Sequence, residues 1–175
     1  MDINQLEIDE VSVGIRRATA DDLRMLSIFG TRLAELHVSF DDRRFVSPDP
    51  PGPVFFEFFA AQIARADAAL LIAELVATPV GYAFVRMEEE SIEDLRGAGA
   101  WLHDIFVDPE ARGRGVGRQL VEAAIDAARS LGSNNLMLSV SPSNAPGRRL
   151  FESLGLRTTM IEMRIELGES GSDRQ

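Results

Sequence analysis

Glycines alternate with arginines and one valine in the stretch Arg112–Arg118, which reads Arg-Gly-Arg-Gly-Val-Gly-Arg. It lies where an apolar, strand-like run ending at Val107 gives way to a helical pattern of apolar residues that begins at Val116. Glycines at such a junction let the backbone adopt positive φ and approach a ligand closely. The first N–H groups of a helix have no internal acceptor, and with the helix dipole they form an anion site. The pattern therefore predicts that this junction binds a phosphate or a pyrophosphate.

Two familiar phosphate-binding sequences do not match this stretch. A dinucleotide fold requires G-x-G-x-x-G, but Gly113, Gly115 and Gly117 place the third glycine one residue early. A P-loop requires Gly-Lys-Ser/Thr, and the chain has no lysine, since all its positive side chains are arginine. A helix that merely starts with glycines is the structural alternative, although glycines in that position cost helix stability.

Composition limits the class of protein and of partner. A chain of 175 residues that is 45% hydrophobic is sufficient for one domain with a sizeable core. A net charge of −10 argues against nucleic acid and suits a protein that tolerates or attracts cationic small molecules. The absence of cysteine excludes disulfides, zinc-thiolate sites and a thiol nucleophile, and we expect no metal site. The acidic first ten residues lack an apolar run, and no stretch approaches the roughly 18 apolar residues of a membrane span, so we expect a cytoplasmic protein without a membrane partner.

Hydrophobic periodicity predicts a mixed α/β domain over residues 11–167, between a flexible leader (1–10) and a disordered tail (168–175). The expected order is strand, two helices, three strands, helix, strand, helix, strand. The Pro-rich segment 41–53 is expected to be a loop. The strands are predicted at 11–17, 69–76, 80–87, 100–107, 136–140 and 158–167, and the helices at 19–38, 54–66, 116–131 and 145–154.

The glycine stretch resembles the R/Q-x-x-G-x-G/A signature of the GNAT superfamily of acetyltransferases, with Arg112, Gly115 and Gly117 at its fixed positions. In that family this turn grips the pyrophosphate of acetyl-CoA. The residues Val-Asp-Pro-Glu at 107–110 are similar to the family's V-x-P-E lead-in. Downstream, Asn144 and the residues Leu-Phe-Glu-Ser-Leu-Gly-Leu at 150–156 resemble its N-x-x-A-x-x-L-Y-e-k-l-G-F segment. The resemblance implies a GNAT fold over residues 11–167, with acetyl-CoA as co-substrate.

The same resemblance implies a set of cofactor contacts. The strand Ile105–Val107 should splay from its neighbour and offer backbone groups to the pantetheine arm. The N–H of Ile105 would stabilise the acetyl oxygen as it becomes an oxyanion, an effect of about 3 kcal/mol. Asn144 would bond the arm, and Arg148 or Arg149 could reach the adenosine 3′-phosphate. The residues expected to bind the cofactor are Ile105, Phe106, Val107, Arg112, Gly113, Arg114, Gly115, Val116, Gly117, Arg118, Asn144 and Phe151.

The catalytic base is expected in the strand that precedes the glycine stretch. Many members of the family have a glutamate there, and His103 takes its place in this chain. A histidine with a pKa near 6.5 suits proton removal at neutral pH, and a partly buried structural histidine is the equal alternative. Neighbouring residues of a strand point to opposite faces, so His103 and Asp104 line one pocket only if the strand bulges. The catalytic candidates are His103, Asp104 and the N–H of Ile105.

The proton donor for the leaving thiolate departs from the family pattern. The family's frequent tyrosine falls at Phe151, which has no hydroxyl, and Tyr82 lies in the middle of a predicted strand. Water, Ser143 or Ser153 could supply the proton instead. Thiols are stronger acids than alcohols, so departure without a positioned acid is feasible.

The sequence leaves three functions open. The first is acetylation of a small-molecule primary amine by a protein that could be a homodimer. The second is acetylation of a protein N-terminus or lysine, and the third is a non-catalytic acyl-CoA sensor, which Phe151 favours. The acceptor pocket is expected from the loop 41–53, the first helices and the acidic residues 88–94, although a charge run is more often a solvated face. His37 is either a helix C-terminal charge or a pocket residue.

Overall fold

The computed structural model describes residues 12–167, so the predicted leader and tail lie outside the described residues. Within the described range, the strands and helices follow one another in the order that the sequence predicts, up to and including the last helix. The strands are β1 (Val13–Arg17), β2 (Ala68–Leu75), β3 (Thr78–Glu88), β4 (Gly99–Val107) and β5 (Leu136–Met137). The α-helices are α1 (Leu23–Phe40), α2 (Pro51–Ile63), α3 (Val116–Ser130) and α4 (Ala145–Ser153).

One mixed sheet forms the centre of the described residues, with the strand order β1-β2-β3-β4-β5. The first four strands pair antiparallel, and β5 pairs parallel to β4. Parallel neighbours need a long crossover, which α3 supplies between β4 and β5. The mixed α/β class that the sequence predicts is confirmed.

Side chains of the strands alternate between two apolar layers, one on each face of the sheet. On one face, Leu71 and Ala73 pack with the buried stripe of α3, which includes Leu120 and Ala124. On the other face, Leu70 and Ile72 join a cluster with the first two helices. That second cluster contains the aromatic residues Phe29, Phe59, Tyr82, Phe84 and Phe106. The sheet is therefore covered on both faces, and a ligand can reach the backbone of β4 only where its strands part.

The helix α2 begins earlier than the sequence predicts. Its first residues are Pro51, Gly52 and Pro53, which the sequence analysis assigns to the loop. Proline is accepted in the first turn of a helix, because the N–H that it lacks has no intrahelical acceptor there. The irregular connection between α1 and α2 is correspondingly shorter than predicted.

The strand predicted at 158–167 is not formed. Residues 157–167 form an exposed stretch outside any strand or helix, and their alternating pattern has no neighbouring strand within residues 12–167. The prediction is wrong at this point because alternation signals only a face suited to burial, and the bonds of Arg44 to Glu162 and of Arg164 to the carbonyl of Arg43 hold this stretch on the loop after α1. The strand predicted at 136–140 is likewise shortened to Leu136–Met137.

None of the described helices has both the length and the apolar character needed to cross a membrane.

Candidate functional site

The turn before α3 has the backbone geometry of an anion site. Gly113 and Gly115 adopt φ values of 77° and 80°, the left-handed region that favours glycine. A Cβ added to either residue would meet no atom within 4 Å, so both glycines border open space. Among residues 12–167, no acceptor is found for the backbone N–H groups from Gly113 through Arg118. We call this row of free N–H groups the glycine cradle; its donors and the positive end of the α3 dipole suit a diphosphate.

The arginines of the stretch have different surroundings. The Nε atom of Arg112 donates to the carbonyl oxygen of Val107 at 3.1 Å, which ties the turn to the end of β4. Arg118 donates to Ser153 Oγ at 3.0 Å and lies 3.5 Å from the carboxylate of Glu122. Arg114 is exposed, without a hydrogen-bond partner among the described residues. Arg114 is thus the arginine best placed to add charge to an anion in the cradle.

The other two residues of the α3 start have packing roles. Val116 is buried in the layer beneath α3, where it anchors the first turn. A Cβ on Gly117 would lie 3.2 Å from Leu150 Cδ2, closer than most real side-chain contacts. Gly117 therefore lets α3 approach α4 closely, and its free N–H still belongs to the cradle.

The strands β4 and β5 part immediately after they pair. Their ladder consists of Ala100 with Leu136 and Trp101 with Met137, whereas β4 continues to Val107. The N–H of Asp108 donates to Val80 in β3 at 2.8 Å. By alternation, the N–H and C=O groups of Ile105 and Val107 point away from β3, into the gap. The strand β4 thus splays from β5 as the family resemblance implies, and of these groups the C=O of Val107 is occupied by Arg112.

A cleft opens in this gap, between α1, β4 and the chain that follows β5. We call it the central cleft. Helix α1 contributes one wall, β4 contributes the floor, and the chain after β5 together with α4 closes the opposite side. Its lining residues are Leu33, Leu36, His37, Phe40, Leu102, His103, Ile105, Leu138, Ser139, Val140, Ser141, Asn144 and Phe151. Both histidines of the chain line this one cleft.

A β-bulge places His103. In the register with β3, Leu102 is opposite Val85 and Asp104 is opposite Phe84, so His103 faces no partner residue. The extra residue turns the His103 ring onto Phe84, with ring centroids 5.2 Å apart. A bulge is the condition under which the sequence analysis allowed His103 and Asp104 to share a face, and such irregularities often re-aim a side chain at a functional site.

The environment of His103 suits a neutral imidazole. Its Nε2 lies 2.8 Å from Glu88 Oε1, and Glu88 is also bound by Arg86 at 2.5 Å. Desolvation of the ring lowers the pKa of His103; Arg86 lowers it further, and the hydrogen bond to Glu88 partly offsets both effects. With Nε2 donating to the carboxylate, Nδ1 keeps its lone pair and can accept a proton.

Asp104 turns towards the cluster beneath α1 and α2. The hydroxyl of the buried Tyr82 donates to Asp104 Oδ2 at 3.2 Å. Burial raises the pKa of Asp104 to about 6, which the Tyr82 hydrogen bond only partly counteracts. Among the described residues that line the central cleft, Asp104 does not appear. The predicted catalytic pair is therefore adjacent in the chain but divided between the cleft and the apolar layer.

This placement predicts that Asp104→Asn stabilises the protein in a pH-dependent way. A carboxyl whose folded pKa lies above its unfolded value of 3.8 makes the fold less stable as the pH rises through 3.8 to 6. The variant lacks this cost, so we expect its free energy of unfolding to exceed that of the wild type by up to about 3 kcal/mol at pH 7.5. The difference should vanish near pH 4, as measured by urea unfolding. Asp126→Asn, at an exposed side chain on α3, is the control and should show no such gain; an equal gain there would contradict the assignment.

His37 is the pocket residue that the sequence analysis could not assign. It lies in the last turn of α1, where its ring stacks on Phe45 with centroids 4.8 Å apart. Desolvation lowers the pKa of His37. A stack on a residue of the loop 41–50 cannot be inferred from helical periodicity, so sequence alone offered no means of choosing between its two roles.

The residues around the mouth of the cleft differ in part from those expected. Asn144 lines the cleft, but its Oδ1 caps α4 by accepting from the N–H of Gly147 at 3.0 Å, which leaves the amide nitrogen for a ligand. Phe151 also lines it and belongs to the apolar layer. The hydroxyl candidates Ser143 and Ser153 do not line the cleft, whereas two serines that the sequence analysis missed do. These are Ser139 and Ser141, which lie opposite β4 because the strands part after Met137, a separation that local sequence does not encode.

The acidic loop takes a smaller part than predicted. Residues 89–94 and the loop 41–50 are absent from the described lining of the cleft, although Glu88 reaches His103 and Phe45 covers His37. Within residues 12–167, no group of three or more acidic or histidine side chains is arranged to hold a metal ion.

Comparisons with known proteins identify the family. The family model described as "Acetyltransferase (GNAT) family" matches residues 33–156, which include β4, the glycine cradle and Asn144. The mycothiol acetyltransferase of Thermobispora bispora is 33% identical over 96 residues, which are 55% of this chain and 32% of that protein. The chain thus aligns with about a third of the length of that curated relative.

Solved structures show the same fold. A tetramutant of the BH1408 protein from Bacillus halodurans superposes with a TM-score of 0.74 at 24% identity, over 88% of this chain and 99% of that one. A predicted acetyltransferase from Clostridium acetobutylicum, solved with acetyl-CoA, superposes with a TM-score of 0.68 at 15% identity, over 89% and 96% of the two chains. Because the family match covers most of the sequence and includes the turn that forms the cradle, this chain belongs to the acetyltransferase (GNAT) family.

Proposed function

We propose that this protein transfers the acetyl group of acetyl-CoA to the primary amine of a small molecule. The observation that supports this most strongly is that β4, which forms the floor of the cleft with both histidines, has an open edge and ends at Val107, shortly before the glycine cradle. The cradle suits the diphosphate of acetyl-CoA, and the cleft with its histidines suits the amine that accepts the acetyl group.

The cofactor side of the proposal uses backbone groups. The N–H groups from Gly113 through Arg118 would hold the pyrophosphate, with Arg114 adding positive charge. The open N–H groups of Ile105 and Val107 and the C=O of Ile105 would bind the pantetheine arm, as a neighbouring strand does, whereas the C=O of Val107 already accepts from Arg112. The free amide nitrogen of Asn144 would donate to the same arm from the opposite wall.

The acceptor side uses side chains of the central cleft. His103 would take the proton that the attacking ammonium must lose, with its tautomer held by Glu88. The amine nitrogen then bonds to the carbonyl carbon as the carbon–sulfur bond breaks, and the N–H of Ile105 stabilises the negative oxygen. The nitrogen loses its second proton as the amide forms, and the departing thiolate would receive that proton through water. The hydroxyls of Ser139 and Ser141 would stabilise it by hydrogen bonding, since Phe151 offers none.

The shape of the cleft favours a small acceptor over a protein chain. Helix α1 forms a wall along the cleft, and Phe45 closes over His37 at the end of that wall. A peptide acceptor would need an open groove past these residues.

The test is release of free coenzyme A from acetyl-CoA in the presence of single amines, read with a thiol reagent. The protein contributes no background because it has no cysteine. The panel should contain polyamines, amino acids, aminoglycosides and a peptide with a free N-terminus. We expect turnover with at least one small amine. Turnover with the peptide alone would replace the small-molecule assignment, and tight calorimetric binding of acetyl-CoA without any turnover would indicate a sensor.

A further inference from the structure

The central cleft has two ends, of which the cofactor faces one. The glycine cradle follows β4, so a cofactor arm that runs from the cradle along the open edge of β4 passes Val107 before Ile105. The part of the cleft beyond Ile105 is left for the acceptor, between the floor of β4 and the second half of α1. We call this part the acceptor end, and it is lined by Leu33, Leu36, His37, Phe40, Leu102 and His103.

The acceptor end is apolar except for its two imidazoles. Leucine and phenylalanine side chains make up the rest of its lining, and among the described residues no carboxylate lines any part of the cleft. The Oε1 atom of Glu88 lies 2.8 Å from His103 Nε2, but Glu88 is not part of this lining, and Arg86 donates to the same oxygen at 2.5 Å. A second positive charge on the acceptor would therefore have no anionic partner in the described lining.

The aromatic rings around His37 do not form a cage for a cation. The His37 ring stacks on Phe45 with centroids 4.8 Å apart, and it meets Phe40 edge-on at 6.1 Å. The guanidinium of Arg44 lies 5.2 Å from the centroid of the Phe45 ring, so that ring is already engaged by a cation of the protein itself. Desolvation lowers the pKa of His37, which favours its neutral ring. The wall is thus a hydrocarbon and aromatic surface that suits an apolar group.

We propose that the acceptor is a primary monoamine with an apolar body, an alkylamine or an arylalkylamine, an inference that rests on the acetyl transfer proposed above. Its ammonium group lies at His103, and its hydrocarbon lies against Leu36 and Phe40. The nitrogen bonds to the acetyl carbon as the carbon–sulfur bond breaks. One proton passes to His103 and then to solvent, and the other reaches the thiolate through water. The products are an N-substituted acetamide and free coenzyme A, and no other reactant is needed.

A second charge on the acceptor is what separates this class from polyamines and aminoglycosides. Burial of an unpaired ammonium group in an apolar site is costly, whereas each methylene that leaves water raises the affinity about fourfold. The reacting ammonium group does not bear this cost, because it gives up a proton to His103 before the new bond forms. An acceptor with one amine and a hydrocarbon chain therefore gains from the acceptor end, and an acceptor with two amines loses.

A matched pair of amines tests the proposal on the wild-type protein. Hexylamine and 1,6-diaminohexane share a six-carbon chain and differ in one ammonium group, and both are almost wholly protonated at pH 8. We expect hexylamine to have a kcat/KM with acetyl-CoA at least about tenfold above that of the diamine. It should also exceed butylamine about 15-fold, because it buries two more methylenes. A diamine, an aminoglycoside or an amino acid with an equal or higher kcat/KM would overturn the inference and leave the proposed acetyl transfer in place.

A carboxylate placed in the acceptor end should change the preference. Leu36 belongs to neither apolar layer of the fold, so Leu36→Glu leaves both layers intact. The new charge would pair with the second ammonium group and should lower the ratio of kcat/KM for hexylamine over diaminohexane at least about tenfold. Leu36→Gln has the same shape without the charge and should still disfavour the diamine.

The outcomes separate this inference from the proposed reaction. An unchanged ratio in Leu36→Glu, with the melting temperature of the wild type, would contradict the position of the hydrocarbon chain. Absence of turnover with every amine, together with calorimetric binding of acetyl-CoA, would remove the proposed acetyl transfer and this inference with it. Turnover that favours a polyamine would remove the inference alone.

Discussion

Gly115→Glu should abolish detectable binding of acetyl-CoA. The new carboxylate would project into the space beside the glycine cradle, where a Cβ meets no other atom. Two unit charges 4 Å apart repel by about 4 kcal/mol at an effective dielectric of 20, which is roughly a thousandfold in affinity. The expected result in isothermal titration is a loss of the acetyl-CoA signal at concentrations that saturate the wild type.

Backbone strain must be separated from the loss of the site, because Gly115 has a φ of 80° and a side chain there costs about 1–2 kcal/mol. Gly132 offers a matched control: its φ is 88°, it also borders open space, and it lies at the other end of α3. Gly132→Glu should lower the melting temperature to a similar degree and keep full affinity. Equal affinity in the two variants would contradict the position of the pyrophosphate site.

The sequence predicts those parts of the fold that depend on local pattern. The stripe of α3, the paired strands β2 and β3, and the glycine turn each follow from spacing within about fifteen residues, and each is found where expected. Residues 157–167 show the limit of that reasoning. Their alternation predicts a strand, but whether a partner edge lies within reach depends on the path of the whole chain.

In the candidate site, too, the features that depend on local sequence could be predicted, and those that depend on distant elements could not. The cradle could be predicted because it consists of backbone groups whose positions the glycines determine. The bulge at His103, the stack of His37 on Phe45 and the serines 139 and 141 could not, because each depends on the register or separation of elements distant in sequence. Asn144 shows an intermediate case, since its motif predicted a role at the cleft but not that its oxygen would be used to cap α4.

Replacement of His103 by glutamine should lower turnover about 100-fold at pH 6.5 and less than tenfold at pH 9. A general base typically contributes a factor of 10² to 10⁴. Burial holds the pKa of His103 below its usual value, which favours the neutral ring that can accept a proton. A primary amine with a pKa near 10.4 has little free base at pH 6.5 and about tenfold more for each unit of pH. The need for an enzymatic base therefore shrinks as the pH rises, and the ratio of wild-type to variant kcat should fall with it.

The variant His37→Gln shows which of the two histidines is the base. His37 is the other imidazole of the central cleft, and burial lowers its pKa as well. The measurement is kcat at saturating amine from pH 6.5 to pH 9 for the wild type and both variants. A pH-dependent loss confined to His103→Gln assigns the base to the bulge of β4, where Glu88 holds Nε2 and Nδ1 remains free. The same loss in His37→Gln instead would move the base to α1, and a ratio that stays constant with pH in both variants would leave neither histidine as the proton acceptor.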